Sequence, residues 1–279
     1  GSGVSGLSFA LRAAAYGSVA IVTKRDAANT NTSWAQGGIA CVQSAEDSFD
    51  RHVADTLDAG AGLCPEPVVR RIVSEGPRAI RELVEWGVAF DGAVSGSGEE
   101  SVALGREGGH TARRILHHKD TTGREIETKL LARVREHPGI DLLERHFAID
   151  LITTAKIAPG SPQRCVGLYV LDEERGAVET LRSDRVLLCT GGSGRVYLYT
   201  TNPDVATGDG VAMAWRAGCE VANMEFVQFH PTCLYHHELK SFLVTEAMRG
   251  EGAELIDKHG RRFMADYDPR GSLAPRDIV

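Results

Sequence analysis

This 279-residue chain has no long apolar run, no C-x-x-C pair and no basic tract, and each absence excludes something. Without about 20 consecutive apolar residues, no segment is expected to span a bilayer as a helix. The first residues also lack the layout of a secretory signal. Six scattered cysteines (Cys41, Cys64, Cys165, Cys189, Cys219 and Cys233) suit reduced thiols in a cytoplasmic protein better than a disulfide framework or zinc site. The histidines show no H-x-x-x-H spacing, so no metal is expected. A net charge of -7 with no basic stretch to offset it argues against nucleic acid as a partner. The remaining composition, 42% hydrophobic and 25% charged, is that of an ordinary soluble protein. The length suits one large α/β domain, or a domain plus part of another.

Glycine is plentiful, and its placement is informative. Gly1-Ser2-Gly3-Val4-Ser5-Gly6 matches G-x-G-x-x-G and runs into an alanine-rich helix over 7–16, which Gly17 stops. Such a turn lets backbone N–H groups and a helix N-terminus approach a pyrophosphate. A short buried strand is expected at 19–22. The strand that should precede Gly1 is absent, so the chain is expected to begin inside its own motif. Lys24 stands where dinucleotide folds place a ribose-binding acid; it either neutralises phosphate or is solvated. The polar, glycine-rich stretch 29–40 is a surface loop or a second backbone cradle.

A buried parallel strand is expected at 185–189, closing on Thr190-Gly191-Gly192. Thr207-Gly208-Asp209-Gly210 then opens a helix over 211–217. Asp209 is either a helix cap or an acceptor for the hydroxyls of a sugar-alcohol chain. An acid flanked by glycines, with a second glycine turn already present, favours a flavin over nicotinamide.

Other segments read as scaffold. Helices are expected over 50–59, 66–75, 77–86 and 122–137, with Pro77 starting the third. Stretches 148–152, 166–170 and 178–181 read as an antiparallel meander. Residues 258–263 read as a hairpin, and Ala274-Pro275-Arg276-Asp277 as a helix start. Residues 90–105 read as a long glycine-rich loop leading into Arg106-Glu107-Gly108-Gly109-His110. There Glu107 is a solvated charge or a site carboxylate. The polar turns at 228–232 and 245–252 point to loops converging on an anionic ligand.

Taken in order, Gly1-Ser2-Gly3-Val4-Ser5-Gly6, Ala35-Gln36-Gly37-Gly38-Ile39, Glu107-Gly108-Gly109-His110, Thr190-Gly191-Gly192, Gly208-Asp209-Gly210, Phe229-His230-Pro231-Thr232, Arg249-Gly250-Glu251-Gly252 and Pro275-Arg276-Asp277 carry a resemblance. Across essentially the whole chain they resemble the flavoprotein family of succinate dehydrogenase, fumarate reductase and L-aspartate oxidase. The resemblance implies an α/β fold: a Rossmann-like FAD-binding domain with an antiparallel β-meander over 1–223, plus part of an α+β capping domain over 224–279. The first strand and the closing segment of the FAD domain are expected to be missing.

The resemblance further implies FAD bound by Ser2, Gly3, Val4, Ser5, Lys24, Asn31, Thr32, Ser33, Trp34, Ala35, Gln36, Gly37, Gly38 and Asp209. Membrane-bound relatives attach FAD through a His just before Thr-x-x-Ala-Gln-Gly-Gly. Asn31 stands here, which implies non-covalent FAD. L-aspartate oxidases carry the acid found at Glu107, where dicarboxylate-only relatives have an apolar residue. That branch oxidises L-aspartate to iminosuccinate with O2 (giving H2O2) or fumarate as acceptor. The product feeds quinolinate formation in NAD biosynthesis, so quinolinate synthase is an expected partner.

By matching motif, His230 and Thr245 bind a substrate carboxylate, Gln228 lines the site and Glu107 meets the ammonium group. Arg276 donates and accepts the proton, with Glu246 and Arg249 as its relay. Two alternatives stand beside this: a soluble fumarate reductase or succinate dehydrogenase-like flavoprotein, and a non-catalytic truncated fragment. A further His and Arg of the family's site would fall beyond Val279, so the isolated chain is expected to be inactive.

Overall fold

The structure is a computed structural model and describes residues 1–94, 100–236 and 242–279. In chain order the main elements begin α1 (Val4–Ala13), β1 (Val19–Val22), α2 (Asn31–Trp34), β2 (Ile39–Ala40), α3 (Phe49–Ala59) and α4 (Glu66–Glu85). There follow β3 (Gly92–Val94), β4 (Glu100–Val102), β5 (Leu104–Gly105), β6 (Ile115–Leu116), α5 (Thr122–Glu136), β7 (Ile140–Leu143) and β8 (His146–Thr153). The chain continues through α6 (Thr154–Ile157), β9 (Cys165–Asp172), β10 (Ala177–Arg182), α7 (Asp209–Arg216), β11 (Cys233–Leu234), β12 (Phe242–Leu243) and α8 (Ala247–Gly250). These elements form two compact units, one of residues 1–34 and 126–227, the other of 35–125 and 228–279.

The first unit carries the Rossmann-like part. Gly6, Leu7 and Ala10 form the buried stripe of α1, the spacing expected of one helix face. The helix leads to β1, which pairs in parallel with β7 from Val19 opposite Ile140 to Val22 opposite Leu143. The expected meander is present as an antiparallel sheet in the order β10-β9-β8. Leu151 of this sheet packs with Met213 and Ala217 from the end of α7, so the sheet supports the helix that presents Asp209. Leu130 and Val134 of α5 are fully buried.

The second unit packs α3 on α4 through Val53, Val69 and Val73. Ser48 caps α3, its hydroxyl accepting the Arg51 N–H at 3.2 Å. Short antiparallel pairs complete the unit: β2 with β6, β6 with β5, β3 with β4, and β11 with β12. Among the described residues no helix is long and apolar enough to cross a membrane. All six cysteines are free.

Five sequence expectations are corrected. The helices expected over 66–75 and 77–86 are one helix, α4, with Pro77 inside it. A proline there costs about 3 kcal/mol. Val69, Val73, Ile80 and Leu83 form one buried stripe on both sides of it, each contributing about 1.5–3 kcal/mol on burial, so the stripe wins. Residues 185–189 are not a buried strand: no described strand pairs with them, and Leu187 and Leu188 are half exposed. An apolar run becomes a strand only where a neighbour takes its ladder bonds.

The loop expected over 90–105 contains β3, β4 and β5, with residues 95–99 outside the described part. Its glycines are spaced for a hairpin as well as for a loop. The helix start at Ala274 is a single turn, closed by the Ile278 and Val279 N–H groups on the Pro275 carbonyl. The 258–263 hairpin is reduced to one bridge, Ile256 opposite Arg262.

Replacing Pro77 with alanine restores an N–H for the Val73 carbonyl and removes the ring clash. Pro77→Ala is expected to stabilise the protein by about 1 kcal/mol or more. A thermal melt checks this; an unchanged or lower midpoint contradicts it.

Candidate functional site

In the first unit a cavity of about 460 Å³ is lined by Gly1 to Ser5, Lys24, Asn31, Thr32, Thr190, Gly191 and Asp209. The glycines permit close approach there. A Cβ on Gly1 would lie 2.0 Å from the Cys189 carbonyl oxygen, and one on Gly6 would lie 1.9 Å from that of Gly1. Gly3 is the N-cap of α1 with no side-chain cap, and the first turn carries no acid. The positive end of the helix dipole is therefore left for an anion. Val4 N–H donates to Thr32 Oγ1 at 3.0 Å, tying the turn to α2.

Asp209 is not the helix cap. Gly208 takes that position with φ +76, and Asp209 begins the helix proper. Its carboxylate pairs with Lys24 Nζ and accepts the Thr207 hydroxyl at 2.8 Å. Lys24 also donates to Thr207 Oγ1 at 2.5 Å, so it is not simply solvated. A Cβ on Gly210 would lie 1.7 Å from Thr190 Oγ1, which brings the two glycine turns into contact. A glycine cradle, an acid-free helix N-terminus and an acid on the cavity wall fit the pyrophosphate and hydroxyl-bearing chain of the expected FAD.

Asn31 Oδ1 accepts Asn202 Nδ2 at 2.9 Å. Ser33 and Trp34 lie on α2 outside the cavity lining; Ser33 Oγ donates to the Thr30 carbonyl at 2.9 Å, and Trp34 is half exposed. Ala35, Gln36, Gly37 and Gly38 belong to the second unit. The sequence reading missed His146, Phe147 and Met213 of the lining, because strand and helix residues of ordinary type carry no local signal. It also missed Glu127, buried on α5. Burial pushes its carboxyl up to about 7, and neither carboxylate oxygen has a hydrogen-bond partner among the described residues.

The second unit gathers the expected substrate and proton-transfer residues. Glu246 is 4% exposed and accepts from Arg249 Nη2 and from Arg276 Nε at 3.0 Å. Arg249 is buried and also donates to the carbonyls of Ser272 (2.9 Å) and Ala274 (3.2 Å). Arg276 Nη1 donates to Gln228 Oε1 at 3.0 Å. His230 Nδ1 accepts the Thr232 N–H at 3.2 Å, so neutral His230 carries its proton on Nε2. That Nε2 lies 3.5 Å from Glu246 Oε2 and has no hydrogen-bond partner among the described residues. Burial and the charge of Arg276 push the His230 imidazole below its ordinary value, leaving it a neutral donor. The Thr245 hydroxyl accepts the Ala247 N–H at 3.4 Å, and the bonds that join the cluster do not include it.

Glu107 belongs to the same electrostatic group. Burial pushes its carboxyl above the ordinary value and Glu246 adds to the shift, while Arg276, the Gly38 N–H and Arg249 oppose it. Gly37 and Gly38 allow this placement. A Cβ on Gly37 would lie 3.0 Å from Glu107 Oε1, and one on Gly38 would lie 2.1 Å from the Leu116 carbonyl oxygen. Gly108 is close too, since a Cβ there would lie 3.1 Å from Glu246 Oε1.

A raised carboxyl value has a definite sign. Glu107's contribution to stability is present below its unfolded value and is lost as pH rises through the folded one. Glu107→Gln cannot ionise, so its thermal midpoint should gain on the unsubstituted protein between pH 4 and pH 7. Melts across that range check it; a difference independent of pH contradicts it.

The sequence pattern of the FAD binding domain family matches residues 1–279. The chain is 56% identical over 280 residues to L-aspartate oxidase 1 of Ralstonia nicotianae, covering 100% of this chain and 52% of that one. It is 53% identical over 279 residues to L-aspartate oxidase of Yersinia pestis, again covering 100% and 52%. Among solved structures it is similar to a single-site variant of E. coli quinol fumarate reductase. The TM-score is 0.90 at 33% identity, covering 100% of this chain and 48% of that one. The chain thus spans about half the length of the curated relatives it matches. With the pattern matched from end to end and a fold shared with the fumarate reductase flavoprotein, the chain belongs to the FAD binding domain family, and FAD is its cofactor.

Proposed function

We propose that the full-length protein oxidises L-aspartate to iminosuccinate, holding FAD non-covalently. Two hydrogens leave across the substrate's Cα–N bond, and O2 (giving H2O2) or fumarate (giving succinate) is the final acceptor. Bound FAD supplies the hydride-accepting centre. The product feeds quinolinate formation in NAD biosynthesis, which makes quinolinate synthase its consuming partner. Cysteine usage and composition support a cytoplasmic setting. The functional division is an FAD-binding domain over 1–223 and the start of a capping domain over 224–279. Asn31 supports non-covalent binding, because its amide nitrogen is a poor nucleophile and its oxygen is already bonded to Asn202.

The observation that carries the reading is Glu107 beside a cluster built for carboxylates. His230 Nε2–H and the Arg276 guanidinium are donors for the substrate's carboxylates, with Thr245 and Gln228 at the margin. Succinate needs nothing more. An ammonium group needs a carboxylate, and it would stabilise the ionised form that burial disfavours in Glu107. A guanidinium hardly gives up its proton alone. Arg276 therefore acts as a carrier through Nε to Glu246 Oε2 at 3.0 Å, with Arg249 behind. The relatives' name, L-aspartate oxidase, supports the same reading. The likeness to quinol fumarate reductase supports a second one, succinate oxidation or fumarate reduction.

Turnover of the full-length protein on aspartate and on succinate separates the two. Glu107→Gln is expected to raise the aspartate KM about 10- to 100-fold, more than the succinate KM, the loss of one charge-assisted bond. Activity on succinate with none on aspartate overturns the proposal.

A further inference from the structure

Glu107 can select an ammonium group only if its turn is held still, and the second unit contains a buried device that closes this turn at both ends. Arg114 is 0% exposed, directly before β6. Its own N–H donates to the Gly105 carbonyl at 3.1 Å, at the entry to the turn. Its side chain donates from Nε and Nη2 to Asp47 at 2.8 and 2.9 Å, and from Nη1 to Asp55 Oδ2 at 2.6 Å. That same Asp55 oxygen accepts the Thr111 N–H at 2.9 Å and the Thr111 hydroxyl at 3.0 Å, at the exit from the turn. Between the two, His110 N–H donates to the Glu107 carbonyl at 3.3 Å, and His110 Nδ1 lies 3.3 Å from Arg114 Nη1.

Burial alone would push the Asp47 and Asp55 carboxyls up. The Arg114 hydrogen bonds, with Ser48 N–H on Asp47 and Thr111 on Asp55, outweigh it and hold both below the ordinary range. The ionised pair therefore persists throughout the neutral range. None of these groups belongs to the Glu246, Arg276 and His230 cluster, and the proposed chemistry uses none of them.

We infer that Arg114 and Asp55 are positioning residues. Residue 105 is clipped to the Arg114 backbone N–H and residue 111, through Asp55, to the buried Arg114 guanidinium, and the two ends so fix Glu107 against Gly38 N–H and the Glu246 cluster. What this does for amine selectivity rests on the proposed function; the clip itself does not.

The test uses the full-length, FAD-loaded protein with Asp55→Asn, Thr111→Val and Thr111→Ser, and with Glu107→Gln as reference. Two quantities are read: backbone hydrogen exchange over residues 105–114, and KM for aspartate against KM for succinate. Thr111→Val and Asp55→Asn are expected to speed exchange in 105–114 about 10-fold with neighbouring segments unchanged. They should raise the aspartate KM about 10-fold while the succinate KM moves less than about 2-fold. Thr111→Ser keeps the hydroxyl and should restore both. Unchanged exchange, an even rise across the chain, or equal changes in the two KM values overturns the inference. Should Asp55→Asn fail to fold, Thr111→Val and its serine rescue decide the matter. If Glu107→Gln leaves the aspartate KM unchanged, the aspartate reading fails, and the exchange result still judges the clip.

Discussion

One buried carboxylate, Glu246, sets the geometry of the second unit's charged residues. Arg249 is buried with it, and a buried guanidinium is tolerated only when paired and hydrogen-bonded. Removing Glu246 would leave the buried Arg249 without its counter-charge, at a cost of about 3–5 kcal/mol. Glu246 also takes Arg276, so the outer arginine is oriented by the bond that neutralises the inner one. Two guanidinium groups against one carboxylate leave these three side chains net positive. Burial disfavours the ionised form of Glu107 beside them.

The first unit solves a different problem, letting stretches of backbone approach one another closely around its cavity. Glycine at positions 1, 6 and 210 is dictated by atoms less than 2.1 Å from where a Cβ would sit. The Lys24 to Asp209 pair joins the end of β1 to the start of α7. The wall of the cavity is thereby fixed by one ion pair across two elements that the meander already supports.

Much of this was legible in the sequence because it is written in local patterns. Glycine punctuation located α1 and the two turns, and alternation located the three strands of the meander. Glu246 and Arg249 were named together through the family resemblance, and the structure shows them paired. The misses have physical causes. At Pro77, burial along one stripe overrode a local breaker. At 185–189 an apolar run lacked a described strand to bond with. The strand β7, four residues between a Pro-Gly turn and charged residues, was too short to stand out. Asp47, Asp55 and Arg114 form a network only in space, and nothing in their spacing along the chain announces it.

The parallel pairing of β1 with β7 bears on how the protein is made. Val19 must wait for Ile140, and the whole stretch 35–125, which belongs to the other unit, emerges from the ribosome between them. That other unit in turn waits for residues 228–279. Neither half can close on a nascent chain before the intervening part of its neighbour has been synthesised, so their assembly is interleaved in time. Contacts of such high order slow the search and leave apolar stripes uncovered until their partners have been made.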